Sequence, residues 1–260
     1  MKVSLFGAIG VMILSGIQCS AGTLMFSSVD YPGASNTLAL GINDSGKIVG
    51  NYQTDSGHGF LKDGMNFISI DYPGLASTAS GINDSGKIVG FAGDHGFLLS
   101  GGLFTTVDFP GAVSTAATAI NNSGQIVGYY LAAQGGGFLL SGGVFTTIIG
   151  QARGINNGGH IVGFYPAAGT NHGFLLSGAA FTPLDFPGAV STEAYGINDS
   201  VQIVGNYFDG AGILHGFLKD GTNFISIDYP GAFSTQAFGI NDSGQIVGFY
   251  VHAQDNTTAF

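Results

Sequence analysis

One hexapeptide recurs through the chain and decides what it can fold into. Gly41-Ile42-Asn43-Asp44-Ser45-Gly46 returns, with small changes, at residues 81–86, 119–124, 154–159, 196–201 and 239–244. The six starts are separated by 40, 38, 35, 42 and 43 residues. A period near forty, rich in strand formers, marks an array in which each repeat is one supersecondary unit packed on its neighbours. Most of the chain is then scaffold. Function is left to residues that break the repeat, or that the repeat gathers into a ring.

A single repeat reads as four short strands. In residues 37–74 a small-residue segment ends in Gly-Ile-Asn, and Asn43-Asp44-Ser45-Gly46 supplies a tight turn, since Asn, Asp and Gly accept left-handed backbone. Residues 47–52 form a second strand, a third opens at His58-Gly59-Phe60-Leu61, and Lys62-Asp63-Gly64 turns it. A fourth runs over 66–72 into Tyr72-Pro73-Gly74, a type II turn sequence. No helical stripe follows residue 22, and the 46 glycines disfavour helices. Four strands per forty residues describe a propeller blade; a solenoid coil is usually shorter. Residues 23–33 read as a fourth strand without its first three. Residues 239–260 supply a first, a second and the start of a third, with Phe260 aligned to Phe60 and Phe217. The expected fold is all-β: a β-propeller of about six four-stranded blades, closed by the N-terminal strand completing the last blade. Residues 22–260 form a single repeat domain whose last repeat is truncated.

Residues 1–21 stand apart. Lys2, the apolar run 3–17 and Cys19-Ser20-Ala21 make a signal peptide cleaved after Ala21, which implies a secreted or cell-surface protein. Lipidation of Cys19 is the alternative, against a poor lipobox at Gln18. Cleavage removes the only cysteine, so the exported chain carries no disulfide. With 8% charged residues and a net charge of −10, it lacks the basic patch that nucleic acid or an anionic membrane requires. Arg153 is the sole arginine and Glu193 the sole glutamate.

The pattern Gly-Ile-Asn-x-x-Gly-x-Ile-Val-Gly, then a loop and His-Gly-Phe-Leu, resembles the extracellular HAF repeat family over nearly all of residues 22–260. Here Gly replaces the Ala that follows the family's histidine, and the tryptophan often found after Phe-Leu is missing. The resemblance implies an exported bacterial protein, sometimes held at the envelope by a C-terminal PEP-CTERM tail that this sequence does not show. It supplies no biochemical activity.

Several residue sets are candidates for chemistry. His58, His95, His172 and His215 occupy one equivalent position, with Gly136 in the third repeat; a shared metal is conceivable only near the axis, and an imidazole bridging a backbone carbonyl of a neighbouring loop is the simpler role. His160 and His252 fall outside the pattern. Asp30, Asp71, Asp108, Asp185 and Asp228 begin each Asp-aromatic-Pro-Gly link. They suit either an oxygen-rich calcium ring or caps on their own turns. The fourth repeat lacks this link, running Phe145 to Gln151 without it, which predicts a gap in one wall of the ring. The Asn-Asp-Ser-Gly acids are turn residues, replaced by Asn122 and Asn157. No cofactor is expected, calcium being the one ion considered.

Blade order puts the loops between second and third strands on the same face as the links. These loops, residues 53–57, 92–94, 131–136, 166–171, 208–214 and 251–257, carry the variety, which is where a rigid scaffold presents recognition. The expected binding face is acidic at its rim and aromatic at Tyr52, Tyr129, Tyr130, Tyr207 and Tyr250, with packing between blades as the competing role for those rings. The leading function is a non-catalytic binding module for an extracellular or envelope protein or glycan. The alternatives are a structural surface or matrix protein, or a propeller hydrolase or lyase on extracellular polysaccharide. No nucleophile elbow, zinc helix or phosphate loop supports the enzyme reading.

Overall fold

The turn sequences and strand alternation produce the expected hairpins. In the computed structural model, which describes residues 24–252 and the backbone of Gly10–Leu14, the first blade comprises Asn36–Ile42, Ile48–Gln53, Gly57–Asp63 and Asn66–Ile70. These strands pair antiparallel in chain order, with Ile42 opposite Ile48, Gly50 opposite Phe60 and Gly59 opposite Ile70. Residues 77–107, 114–148, 151–184 and 191–227 repeat the arrangement. The protein is thus an all-β propeller with five four-stranded antiparallel blades. Among the described residues there is no helix, and so none long and apolar enough to cross a membrane.

A sixth sheet runs in the order Phe26–Ser27, Gly10–Leu14, Ile246–His252, Ala232–Ile240. Its outer strand comes from residues 23–33, as the sequence suggests. Its third place differs from expectation. Gly10–Leu14 fills it, pairing along its whole length with Ile246 to Tyr250. The apolar run Gly-Val-Met-Ile-Leu satisfies the backbone groups of the second strand that would otherwise form an open edge. Residues 258–260, the expected third strand, and residues 1–9 and 15–21 of the expected signal peptide lie outside the described residues.

Two columns of glycine set how closely the strands approach. A Cβ at Gly41 would lie 2.9 Å from the Ser80 carbonyl oxygen of the next blade, so the inner strands meet backbone to backbone. A Cβ at Gly50 would lie 2.8 Å from the ring of Phe60, which sits flat over the glycine and is fully buried. Phe97, Phe138, Phe174 and Phe217 repeat this packing and are as deeply buried. Each apolar cluster spans two neighbouring blades; Val49 of the first blade, for example, packs with Ile70, Ala79, Ile82 and Phe97. The core is therefore a set of interblade wedges, not one central mass.

Every inner strand carries a register shift one residue before its Gly-Ile or Ala-Ile pair, as between Ala39 and Gly41. The skipped residues are Leu40, Ser80, Thr118, Arg153, Tyr195 and Phe238. A bulge frees a residue from the ladder and re-aims its side chain, and all six line one axial cavity of about 90 Å³. The repeat thus gathers its most variable position around the axis.

The asparagine of each turn binds the blades together. Asn43 Oδ1 accepts from Ser45 Oγ and the Lys47 N–H within its own turn, at 2.9 Å each. Its Nδ2 donates to the Asn83 carbonyl of the next turn at 3.1 Å. The same link passes from Asn83 to Asn121, Asn156, Asn198 and Asn241, and from Asn241 to the Asn43 carbonyl. All six asparagines are buried.

The fifth turn departs from the others at its last position. Gly46, Gly86, Gly124, Gly159 and Gly244 have φ between +76° and +82°, whereas Val201 holds φ +60°. A β-branched residue is strained there. Val201→Gly is expected to stabilise the protein by about 0.5–1 kcal/mol, the left-handed strain less the entropy of glycine. Urea unfolding should show a higher midpoint at unchanged slope; a lower one would mean that the contact of Val201 with the fifth core cluster outweighs the strain.

Candidate functional site

Two of the sequence-predicted sets meet on the loop face. Because Gly59 pairs with Ile70, His58 and Asp71 emerge side by side from the third and outer strands. His58 Nδ1 lies 2.6 Å from Asp71 Oδ1, and the equivalent separations are 2.8 Å for His95–Asp108, 3.1 Å for His172–Asp185 and 2.6 Å for His215–Asp228. The histidine partner is thus a carboxylate of its own blade, not the backbone carbonyl expected from a neighbouring loop. Burial acts to raise the Asp71 carboxyl, but hydrogen bonds from Ser69 and His58, with the charge of His58, outweigh it and hold the group below its ordinary range.

The links are not capped by these aspartates. The hydroxyls of Thr37, Thr115, Thr192 and Thr235 accept the N–H of Tyr31, Phe109, Phe186 and Tyr229 at 2.9–3.0 Å. Ser and Thr following the link take the role assigned to Asp. Nor does the fold draw Asp30, Asp71, Asp108, Asp185 and Asp228 together. Among the described residues no three of His, Cys, Asp and Glu lie close enough to hold a metal ion.

The tyrosines form stacked pairs with the links. Tyr31 lies on Tyr52 with centroids 3.6 Å apart, Phe109 on Tyr130 at 3.8 Å, Phe186 on Tyr207 at 3.7 Å and Tyr229 on Tyr250 at 3.6 Å. In each pair the link that leaves one sheet lays its ring on the second strand of the next. Tyr52, Tyr130, Tyr207 and Tyr250 are consequently buried, which is the packing role weighed against recognition. The second blade has Ala92 at this position and the fourth has Tyr165.

Tyr165 is the exception that the sequence reading passed over. Its blade is the one whose link is missing, so no link ring stacks on it; it meets Phe181 of its own blade edge-to-face at 5.4 Å, the contact that link rings make with the outer-strand phenylalanine elsewhere, and it is partly exposed while its four counterparts are buried. The third blade loses both members of the His–Asp pair together: Gly136 stands for the histidine and Ile149 for the aspartate. The result is a cavity of about 360 Å³ between the third and fourth blades, lined by Tyr129, Tyr130, Gly136, Ile149, Gln151 and Tyr165 among others. That volume falls within the usual range for a small-molecule site. The 35-residue spacing was the sequence signal for it; the loss of the stacked ring at Tyr165 becomes visible only once the stacked pairs of the other blades are known.

At the opposite end of the axis a second belt encloses a cavity of about 70 Å³. Each residue after the turn asparagine donates its N–H to the side chain of its counterpart one blade on: Asp44 to Asp84, Asp84 to Asn122, Asn122 to Asn157, Asn157 to Asp199, Asp199 to Asp242 and Asp242 to Asp44, all at 2.7–3.0 Å. Four carboxylates thus stand in succession, bracketed by two amides. Asn122 Nδ2 donates to Asp84 at 2.6 Å and Asn157 Nδ2 to Asp199 at 2.8 Å, while Asp44 has an acid on either side. Burial raises the Asp44 carboxyl, and the charges of Asp242 and Asp84 push it further, against a lowering hydrogen bond from the Asp242 backbone.

No protein-family model matches the sequence, and no curated protein matches it. Similar solved structures include a mutant of AofleA from Arthrobotrys oligospora, at 12% identity over 80% of this chain and 78% of that one, with a TM-score of 0.45. YCF48 bound to D1 peptide is 11% identical over 80% and 72% of the two chains, with a TM-score of 0.42. A mutant Aleuria aurantia lectin in complex with alpha-methyl-L-fucoside is 11% identical over 97% and 98%, with a TM-score of 0.43. Likenesses this distant carry no argument about a ligand.

The acidic belt predicts a pH-dependent gain in stability. A carboxyl whose folded pKa is raised binds its proton more tightly in the folded state, so its contribution is greatest below the unfolded value and is lost as pH rises through the folded value. Asp44→Asn fixes the neutral form with a side chain that positions 122 and 157 already accept. The variant is expected to be more stable than the parent at pH 7, by up to about 0.5 kcal/mol as for an exposed like-charge pair. The gap should close towards pH 3. Denaturant midpoints across that range check it; a gap independent of pH would assign the gain to a new hydrogen bond instead of relieved charge.

Proposed function

We propose that the protein is an exported, non-catalytic binding propeller, a ring of six blades, that holds an extracellular or envelope glycan in the breach between its third and fourth blades. The observation that carries this reading is the cavity at the missing link, with the partly exposed ring of Tyr165 on its wall. In four other sheets a link ring stacks on the equivalent tyrosine at 3.6–3.8 Å and buries it. A sugar ring presents a comparably flat C–H face, and its hydroxyls need neutral donors and acceptors. The phenols of Tyr129, Tyr130 and Tyr165 and the amide of Gln151 provide them around the cavity. No carboxylate, imidazole or cation lines it, which favours a neutral ligand and binding over acid–base turnover.

The ring of six is supported by the asparagine links, the last of which runs from Asn241 to the Asn43 carbonyl. Export rests on residues 1–21. Cleavage after Ala21 takes Gly10–Leu14 out of the sixth sheet.

Binding of purified protein to fractionated envelope and extracellular polysaccharide tests the reading. Tyr165→Ala should weaken binding by roughly tenfold, the scale of one aromatic stacking contact. Tyr207→Ala, at the equivalent buried position, should lower stability by about 3 kcal/mol and leave affinity unchanged. Equal binding by the parent and Tyr165→Ala would remove the breach as the site. Absence of binding by the parent across the polysaccharide fractions would overturn the glycan assignment.

A further inference from the structure

The chain's only arginine sits at the bulge of the fourth inner strand and lines the axial cavity of about 90 Å³. Its guanidinium carbon lies 4.5 Å from the ring centre of Tyr129, 5.1 Å from that of Phe164 and 5.5 Å from that of Tyr195. Nη2 donates to Gln151 Oε1 at 2.6 Å, and Nε is buried with no hydrogen-bond partner. No ion pair reaches Arg153 among the described residues. The sole glutamate does not neutralise it. Glu193 Oε2 accepts from the Tyr195 hydroxyl at 2.6 Å and Oε1 from Asn171 Nδ2 at 2.5 Å.

Arg153 is partly exposed, and the three aromatic faces offset the cost of desolvating the rest of the cation but offer nothing to its N–H donors in the ring plane. A guanidinium held this way presents a planar fork that matches a carboxylate. The cavity around it is bordered by Leu40, Ser80, Thr118, Tyr195 and Phe238, and six isoleucines separate it from the acidic belt. Its size admits about three waters at their liquid volume of roughly 30 Å³ each, hence an anion of only a few heavy atoms. The aspartates beyond the isoleucines repel an anion arriving from their end, so access is from the loop face. We propose that this axial cavity is a binding site for a small monocarboxylate, held through the terminal nitrogens of Arg153. The site is independent of the glycan reading, for it stands on a different cavity and on the unpaired cation.

Acetate is the probe and acetamide, of the same shape without the charge, its control. Because the chain contains one arginine, its Nε–H gives a unique cross-peak in a ¹H–¹⁵N spectrum of the unmodified protein. That peak should move saturably with acetate and remain still with acetamide. The Tm should rise with acetate to a plateau, as it does for a ligand specific to the folded state. Arg153→Met, which keeps length and apolar contact, should abolish the rise, and Arg153→Lys, which keeps charge without the fork, should weaken it. An immobile Nε–H peak up to about 100 mM acetate, far above the millimolar affinities of weak small-molecule sites, would overturn the proposal whether or not the variants fold. So would an acetate response of Arg153→Met equal to that of the parent.

Discussion

Each turn asparagine uses one buried amide in two directions, and the rest of the architecture depends on it. The Oδ1 of Asn43 organises its own hairpin, while Nδ2 reaches the backbone of the next. Aspartate could serve the first role but has no donor for the second, and serine has neither the reach nor the extra hydrogens. A buried carboxamide left unpaired costs about 1–3 kcal/mol, whereas one that is paired contributes about 1 kcal/mol net. The links therefore specify geometry more than they add stability. They fix the distance between inner strands so tightly that the residue after the bulge must be glycine, or alanine at Ala119. The side chain displaced from the ladder is left facing the axis.

Away from the axis, the blades are joined by a different device, the link ring stacked on the second-strand tyrosine. The comparison among repeats inside one chain is informative because the histidine and the aspartate of a blade are lost together. Where the link is lost, at residues 149–150, the histidine opposite its aspartate is lost as well. The cavity there is not a packing defect scattered over the surface. It marks the place of one missing link, and Tyr165 beside it meets Phe181 edge-to-face as the link rings of other sheets meet their outer-strand phenylalanines.

Most of the scaffold was legible in the sequence because turn chemistry and strand alternation are local. The Asn-Asp-Ser-Gly turns, the four strands per repeat and the thirteen-residue spacing of His58 from Asp71 are all written within one repeat. What was obscured involved partners. The aspartates looked like caps because Asp before Pro-Gly so often is one, while the threonines that accept the link N–H lie six residues on. Tyr165 looked like its four counterparts because the residue itself is unchanged, and its exposure and its edge-to-face partner Phe181, in place of a stacked link ring, set it apart. The third strand of the sixth sheet was hidden for another reason: Gly10–Leu14 reads equally well as the apolar core of an export signal and as a β-strand.

Several departures from symmetry fall in one sector. The missing link, Arg153, Glu193 and Tyr195 all belong to the fourth and fifth repeats or the seam before them. Two residues join these features physically. Tyr129 lines the breach and carries the guanidinium on its ring, and Gln151 lines the breach and accepts from Nη2. The loss of the link makes this possible, since it brings the fourth inner strand to begin at Gln151, directly at the breach. A ligand that moves either side chain changes what holds the cation, and an anion at Arg153 changes what stiffens the floor of the breach. Tyr129 and Gln151 on one side and Arg153 on the other therefore stand between the two cavities, and by linkage any preference one occupant has for the other must be reciprocal. The other seams have no such arrangement to offer, because their tyrosines are already covered or, at Ala92, absent.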